Sequence, residues 1–278
     1  MTGRQFLASL LAVAAVVLGL VGVVSLHVRD EVVARQPFAA NALKALDRAP
    51  VRLAVEQEIT TQVQRQVPDG MMSREQIERI VDRVIDTRVF RRSFRRAAAE
   101  FNRVLFHADA RSGDSAQLRL GEVIPAFDAI DPQLGAVLSA SASQRLLTLQ
   151  ADTLGSATHR IADGADTLAG IAPPLALVAL VGALLLATDR RSVLRLLGIG
   201  ALIAGVLLLG LLSIGQSLGL DRVEAGVGVS AAQARDAAAA IWDVYTDGLR
   251  PWAFGAIVGG LLVTALTLVP LGRARRSV

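Results

Sequence analysis

The chain has 278 residues, of which 53% are hydrophobic and only 4% aromatic, with no cysteine and a formal net charge of +4. That leaves too little polar surface to cover a soluble domain of this length. The lack of cysteine excludes disulfides, cysteine-ligated zinc, iron–sulfur clusters and thiol nucleophiles. Ala, Leu, Val and Gly dominate the apolar residues, as they do in helices that face lipid and pack on small side chains.

In chain order, residues 1–27 read as a short tail and a first transmembrane helix, because Phe6 to Leu26 carries no charge and about 20 apolar residues cross a bilayer. No small-x-small cleavage site stands out before His27, so the segment is expected to stay as a signal anchor. Residues 28–170 read as a mainly helical domain. Val51, Val55, Ile59, Val63 and Val67 recur every four residues, marking one apolar helix face behind Pro50 in the first turn. Pro68-Asp69-Gly70 is a turn signal. Ser73 with Gln76 is a capping box, opening a helix whose core face is Ile77, Ile80, Val81, Val84 and Ile85.

The next helix has two faces. Phe90, Phe94, Ala97, Phe101, Val104 and Leu105 fall on one side, and Arg88, Arg91, Arg92, Arg95, Arg96 and Arg103 on the other. Asp82, Asp86 and Glu100 are the acids expected to neutralise part of the arginine face. Five arginines between positions 88 and 96, with no acid among them, make Arg88, Arg91, Arg92, Arg95 and Arg96 a candidate contact face for anionic lipid or an anionic envelope polymer. The competing reading is the wet side of an amphipathic helix. After a break at Gly113, Gln117–Leu120 and Arg145–Leu149 read as short extended runs. Asp131-Pro132 reads as a cap followed by a first-turn proline. A helix from Asp152 runs towards the second span.

Residues 171–187 form the second expected transmembrane helix, opened by Pro173 and Pro174. Residues 188–195 form a turn and residues 196–215 the third transmembrane helix. Residues 216–250 form a loop with an amphipathic helix over Ser230–Asp247. Residues 251–271 form the fourth transmembrane helix, and residues 272–278 a basic tail. Arg4, Arg190, Arg191, Arg195, Arg273, Arg275 and Arg276, against Asp189 alone, set one side of the membrane as cytoplasmic. The loop Gln216–Arg250 carries three arginines against Asp221, Glu224, Asp236, Asp243 and Asp247. Both termini are therefore expected in the cytoplasm and residues 28–170 outside. Trp242, Tyr245 and Trp252 are candidate membrane-interface anchors. The expected fold class is an all-α membrane protein with four transmembrane helices and a mainly helical extracytoplasmic domain between helices 1 and 2.

Several features carry a resemblance: Phe101-Asn102-Arg103 to His107 at a helix end, Asp189-Arg190-Arg191 after span two, an Ala-rich helix reaching Ile241-Trp242-Asp243, and Leu249-Arg250-Pro251-Trp252 opening span four. Together they resemble a family of uncharacterised four-span integral membrane proteins of actinobacteria and related high-GC bacteria. The resemblance implies a topology and no activity. Span order and orientation are also similar to those of ABC-system permease subunits with a large outer domain, although no residue motif of those permeases is present.

Chemistry is sparse. The chain has three histidines, His27, His107 and His159. His159 and Asp163 share a helix face near Asp152 and Asp166, but a metal would need a further ligand, and a polar stripe on a wet helix is the reading preferred. Phosphate loops, nucleophile elbows and zinc-protease helices are missing. All four spans lack Asp, Glu, Lys, Arg and His, which argues against an ion-coupled carrier. Gly255 and Gly259 form a GxxxG pair, and Ala201–Gly205 and Ala15–Gly19 are small-xxx-small pairs expected to pack the spans together. The sequence thus points to a non-enzymatic cell-envelope protein with a structural, sensory or interaction role. The alternative is a permease-like subunit driven by a separate ATPase. The expected partners are the bilayer, an anionic lipid or polymer, and a partner membrane protein; no nucleic acid, cofactor or metal is expected.

Overall fold

The computed structural model describes residues 3–68, 70–106, 115–139, 145–150, 155–220 and 230–268, with the backbone alone at 115–120, 145–150, 155–161 and 218–219. Two units are formed. One comprises Met1–Arg29, Gly164–Gly215 and Thr246–Val278, the other Asp30–Asp163 and Gln216–Tyr245.

The first unit is built from helices whose apolar length dictates their environment. Helix α1 covers Gly3–His27 and runs into a six-residue π-helical turn, Val28–Val33. Four segments are long and apolar enough to cross a membrane: Gly3–Val33, Ala162–Leu186, Arg190–Ser217 and Leu249–Leu268. They lie in α1 with its π-helical turn, in α8 (Gly155–Leu186), in α9 (Arg190–Leu220) and in α11 (Leu249–Leu268). Leu177, Val178, Leu185, Leu211, Leu262 and Leu266 are all more than half exposed, an arrangement that water would penalise and hydrocarbon would not. The four apolar helices define a membrane protein.

Small residues set the helix spacing. Ala8 and Ala12 of α1 are fully buried against Ala183 of α8 and Val193 of α9. A Cβ at Gly205 would lie 2.6 Å from the Ala253 carbonyl oxygen, and one at Gly198 would lie 2.6 Å from Thr264 Oγ1. Helices α9 and α11 therefore touch backbone to backbone. Gly255 and Gly259 take no part in this, because a Cβ at either would meet nothing within 4 Å. Of the expected small-residue pairs, Gly205 makes the close approach, joined by Gly198 and Gly260 in place of Gly255 and Gly259. Pro173 and Pro174 lie inside α8 instead of opening it, and Pro173 fits against Gly22 of α1. The turn between α8 and α9 is only Ala187–Asp189. The Asp189 carboxylate accepts from the Arg191 backbone N–H at 3.1 Å, so Arg190, Arg191 and Arg195 stand in the first turns of α9. Arg273, Arg275 and Arg276 lie outside the described residues.

The second unit has a helical core. Helix α2 is Arg35–Leu46, α3 Ala49–Gln64, α4 Arg74–Ile85 and α5 Arg88–Phe106. Pro50 stands at the start of α3, and Val51, Ile59 and Val63 are buried along its face as their spacing requires. The turn before α4 has Gly70 at φ +81°, a conformation that glycine adopts without a Cβ clash. Asp69 lies outside the described residues. The capping box of α4 is complete: Ser73 Oγ accepts from Gln76 N at 3.3 Å, and Gln76 Oε1 accepts from Ser73 N at 2.8 Å. Ile77, Ile80, Val81, Val84 and Ile85 are all buried beside Phe90 of α5 and Phe127 of α6 (Leu120–Ile130).

Asp131 caps α7 (Pro132–Ser139), its carboxylate accepting from the backbone N–H of Gln133 and of Leu134 at 3.0 and 3.1 Å. The two expected extended runs pair as a two-stranded antiparallel sheet, β1 (Ser115–Arg119) with β2 (Arg145–Gln150), in the register Ala116 to Leu149 with an irregularity at Leu118/Arg119. Helix α10 spans Ala231–Thr246, opened by Ser230, whose Oγ accepts from Gln233 N at 3.3 Å.

Candidate functional site: the arginine helix

Helix α5 is positioned by burial of one face and by α2, which runs antiparallel along it. Phe90 is fully buried and stacks on Phe94, their ring centroids 6.0 Å apart. Ser93 Oγ reaches the Glu122 carbonyl of α6 at 3.4 Å. On the α2 side, Asp47 meets Arg91 at one end, Ala39 and Ala42 pack with Ala98 and Ala99, and Arg35 meets Glu100 at the other.

The arginines divide into two groups. Arg91 is held by Asp47, with Nη1–Oδ1 2.7 Å and Nη2–Oδ2 3.0 Å. This forked geometry keeps the Asp47 carboxyl below the usual carboxylate range and raises Arg91. Arg88, Arg92, Arg95 and Arg96 are exposed. Arg95 donates to Gln36 Oε1 at 3.3 Å, while Arg88, Arg92 and Arg96 make no hydrogen bond or ion pair among the described residues. Of the five candidate residues, only Arg91 is engaged by an acid among the described residues.

Of the acids expected to neutralise this face, Glu100 does so at Arg103, while Asp82 and Asp86 are used elsewhere. Arg52 of α3 binds the Asp86 carboxylate through both Nη atoms (2.7 and 2.8 Å), Asp82 Oδ1 at 2.6 Å and Glu56 Oε1 at 2.8 Å. Asp86 is lowered by that hydrogen bond, whereas Glu56 is raised, chiefly by burial. Glu100 pairs with Arg103 at 2.6 Å and with Arg35 at 3.4 Å, and Arg103 holds it low. Asp82 and Asp86 therefore lock α3 to α4 and leave the front of α5 uncompensated.

Its C-terminal half also departs from expectation. Ala99 and Asn102 continue the arginine side of the helix, yet both are buried. Asn102 Nδ2 donates to the Val32 carbonyl at 2.8 Å, while its buried Oδ1 has no partner among the described residues. Beside it, Asn41 Nδ2 donates to Glu31 at 2.8 Å. The π-helical turn is thus held by two asparagines, a role the sequence does not signal.

Of the expected interface anchors, Trp252 is 63% exposed. Tyr245 is half-buried: its hydroxyl donates to the Phe38 carbonyl at 2.9 Å, its ring lies 5.1 Å from that of Phe38, and burial raises its pKa. It is a packing residue of the second unit. Trp242 is partly buried. His107 and the His159 side chain lie outside the described residues, and no group of three His, Asp or Glu among the described residues could hold a metal. An apolar hollow of about 550 Å³ in the first unit, lined by Gly19, Gly22, Gly198 and Gly259 among others, offers no polar side chain.

No protein-family model, no curated protein and no solved structure matches the chain.

Proposed function

We propose that this is a non-enzymatic membrane protein of the cell envelope, and that its helical domain binds an anionic component. In this reading the chain crosses the membrane four times with both termini cytoplasmic, and the domain between the first two crossings lies outside. The observation that carries it is the row of exposed guanidiniums at Arg88, Arg92, Arg95 and Arg96, three of them with no partner among the described residues. Unpaired like charges at helical spacing cost a few tenths of a kcal/mol per pair, a cost that an anionic partner removes. The basic excess around the α8–α9 turn supports the orientation.

The test presents the full-length protein, in nanodiscs of neutral lipid, with anionic vesicles and with an anionic polymer. Binding that weakens with salt and is lost on joint substitution of Arg88→Glu, Arg92→Glu and Arg96→Glu supports the reading. Binding to neither probe contradicts it.

A further inference from the structure

We infer that the partner of the α5 arginine row is an extended polyanion lying along the helix, and not the flat surface of an anionic bilayer; this deepens the anionic-partner reading and rests on it. Arg88, Arg92 and Arg96 follow one another at intervals of four residues, a rise of about 6 Å each, with a drift of about 40° per step. Arg95 falls within about 20° of Arg88 around the axis. The four guanidiniums therefore make a band about 12 Å long and one helix wide. An extended chain repeats its same-side groups every ~6.6 Å, so it can set one anion beside each successive arginine.

The surroundings are wrong for a broad anionic surface. Along one edge, Asp47 closes off Arg91, and Asp86 and Arg52 lie near enough to act on that pair electrostatically. Counting outward, that cluster holds four carboxylates (Asp47, Glu56, Asp82, Asp86) against two guanidiniums (Arg52, Arg91). The side chains of Asp47, Asp82 and Asp86 are 52%, 56% and 59% exposed. A flat anionic sheet touching the arginines would bring its charge within a Debye length, about 8–10 Å, of these carboxylates. A narrow chain brings far fewer anions near them than a sheet does. Helices that bind bilayer surfaces also bury an apolar face in the interface, whereas α5 has spent that face on the core, with Phe90 fully buried and Phe94 packed against it. Like charges at the edges and attraction along the row together select partner shape.

The experiment uses full-length protein in phosphatidylcholine nanodiscs, with labelled poly-L-glutamate and phosphatidylglycerol vesicles as probes. The polymer should bind in a salt-sensitive way, and the vesicles should bind much more weakly at equal anion concentration. Joint substitution of Arg88→Glu, Arg92→Glu and Arg96→Glu should lower polymer affinity roughly tenfold or more. The corresponding Gln variant should weaken it in the same order and decides the matter if the Glu variant does not fold. Vesicle binding equal to or stronger than polymer binding would overturn the inference while leaving the anionic-partner reading intact. Binding of neither probe would overturn both, and polymer binding unchanged in the Gln variant would place the contact elsewhere and overturn the inference.

Discussion

The Asp47 carboxylate and the Arg91 guanidinium meet as a fork, 2.7 and 3.0 Å, joining the C-terminal cap of α2 to the first turn of α5 across 44 positions of sequence. The pair gives the domain an acid sensitivity whose sign is fixed. Arg91 lowers Asp47 and Arg52 lowers Asp86, so both contribute stability above their unfolded values, near pH 4, and lose it as pH falls through their depressed folded values. Burial raises Glu56, and its contribution runs the other way, lost as pH rises through its folded value. Asp47→Asn is expected to cost less than about 1 kcal/mol at pH 7, since the pair is partly exposed. It should also narrow the stability difference between neutral and acid pH. Thermal unfolding of both proteins at pH 7 and at pH 3.5 checks this; an unchanged difference would count against the pair.

Phe90 is the buried anchor on which the arginine row stands. Phe90→Ala should destabilise the domain by about 3–5 kcal/mol and open α5 to proteolysis. Phe94→Ala, at a partly buried position, should cost less. Limited proteolysis with mass mapping separates the two, and equal resistance in both variants would show that α5 is not held by this face.

Close contact between α9 and α11 makes their glycines unequal. A Cβ at Gly205 would lie 2.6 Å from a carbonyl oxygen of α11, whereas Gly255 and Gly259 face open space. Gly205→Val should lower the melting temperature in detergent by several degrees, an overpacking cost of about 1–3 kcal/mol. Gly255→Ala and Gly259→Ala should leave it within experimental error. The reverse pattern would mean that the GxxxG pair packs the bundle.

Much of this was legible because it is local. Ser73 and Gln76 sit three apart and close their box regardless of the rest of the fold, and the valines of α3 announce a buried face by their spacing. The apolar segments declare themselves by length. What was not legible is where distant charges meet. Asp82 and Asp86 look like neighbours for the arginines of α5, yet Arg52, 30 and 34 positions away, takes both, and only the packing of α3 on α4 decides that. Ala99 and Asn102 lie on the arginine side of α5 by periodicity and are buried because α2 and the π-helical turn cover them, which no single-helix pattern contains. Pro173 and Pro174 read as a helix start, but within a long apolar helix their missing hydrogen bonds are tolerated where neighbouring groups compensate.

Single-cysteine labelling tests most directly the proposed topology, with the helical domain outside and the α8–α9 turn in the cytoplasm. The chain has no cysteine of its own, so each introduced thiol reports alone. Glu78 on α4 and Ser192 in the first turn of α9 are both exposed. In intact cells, a membrane-impermeant maleimide should label the Glu78→Cys protein and should label the Ser192→Cys protein only after the membrane is broken. Labelling of Ser192→Cys in intact cells, with Glu78→Cys protected, would contradict the account.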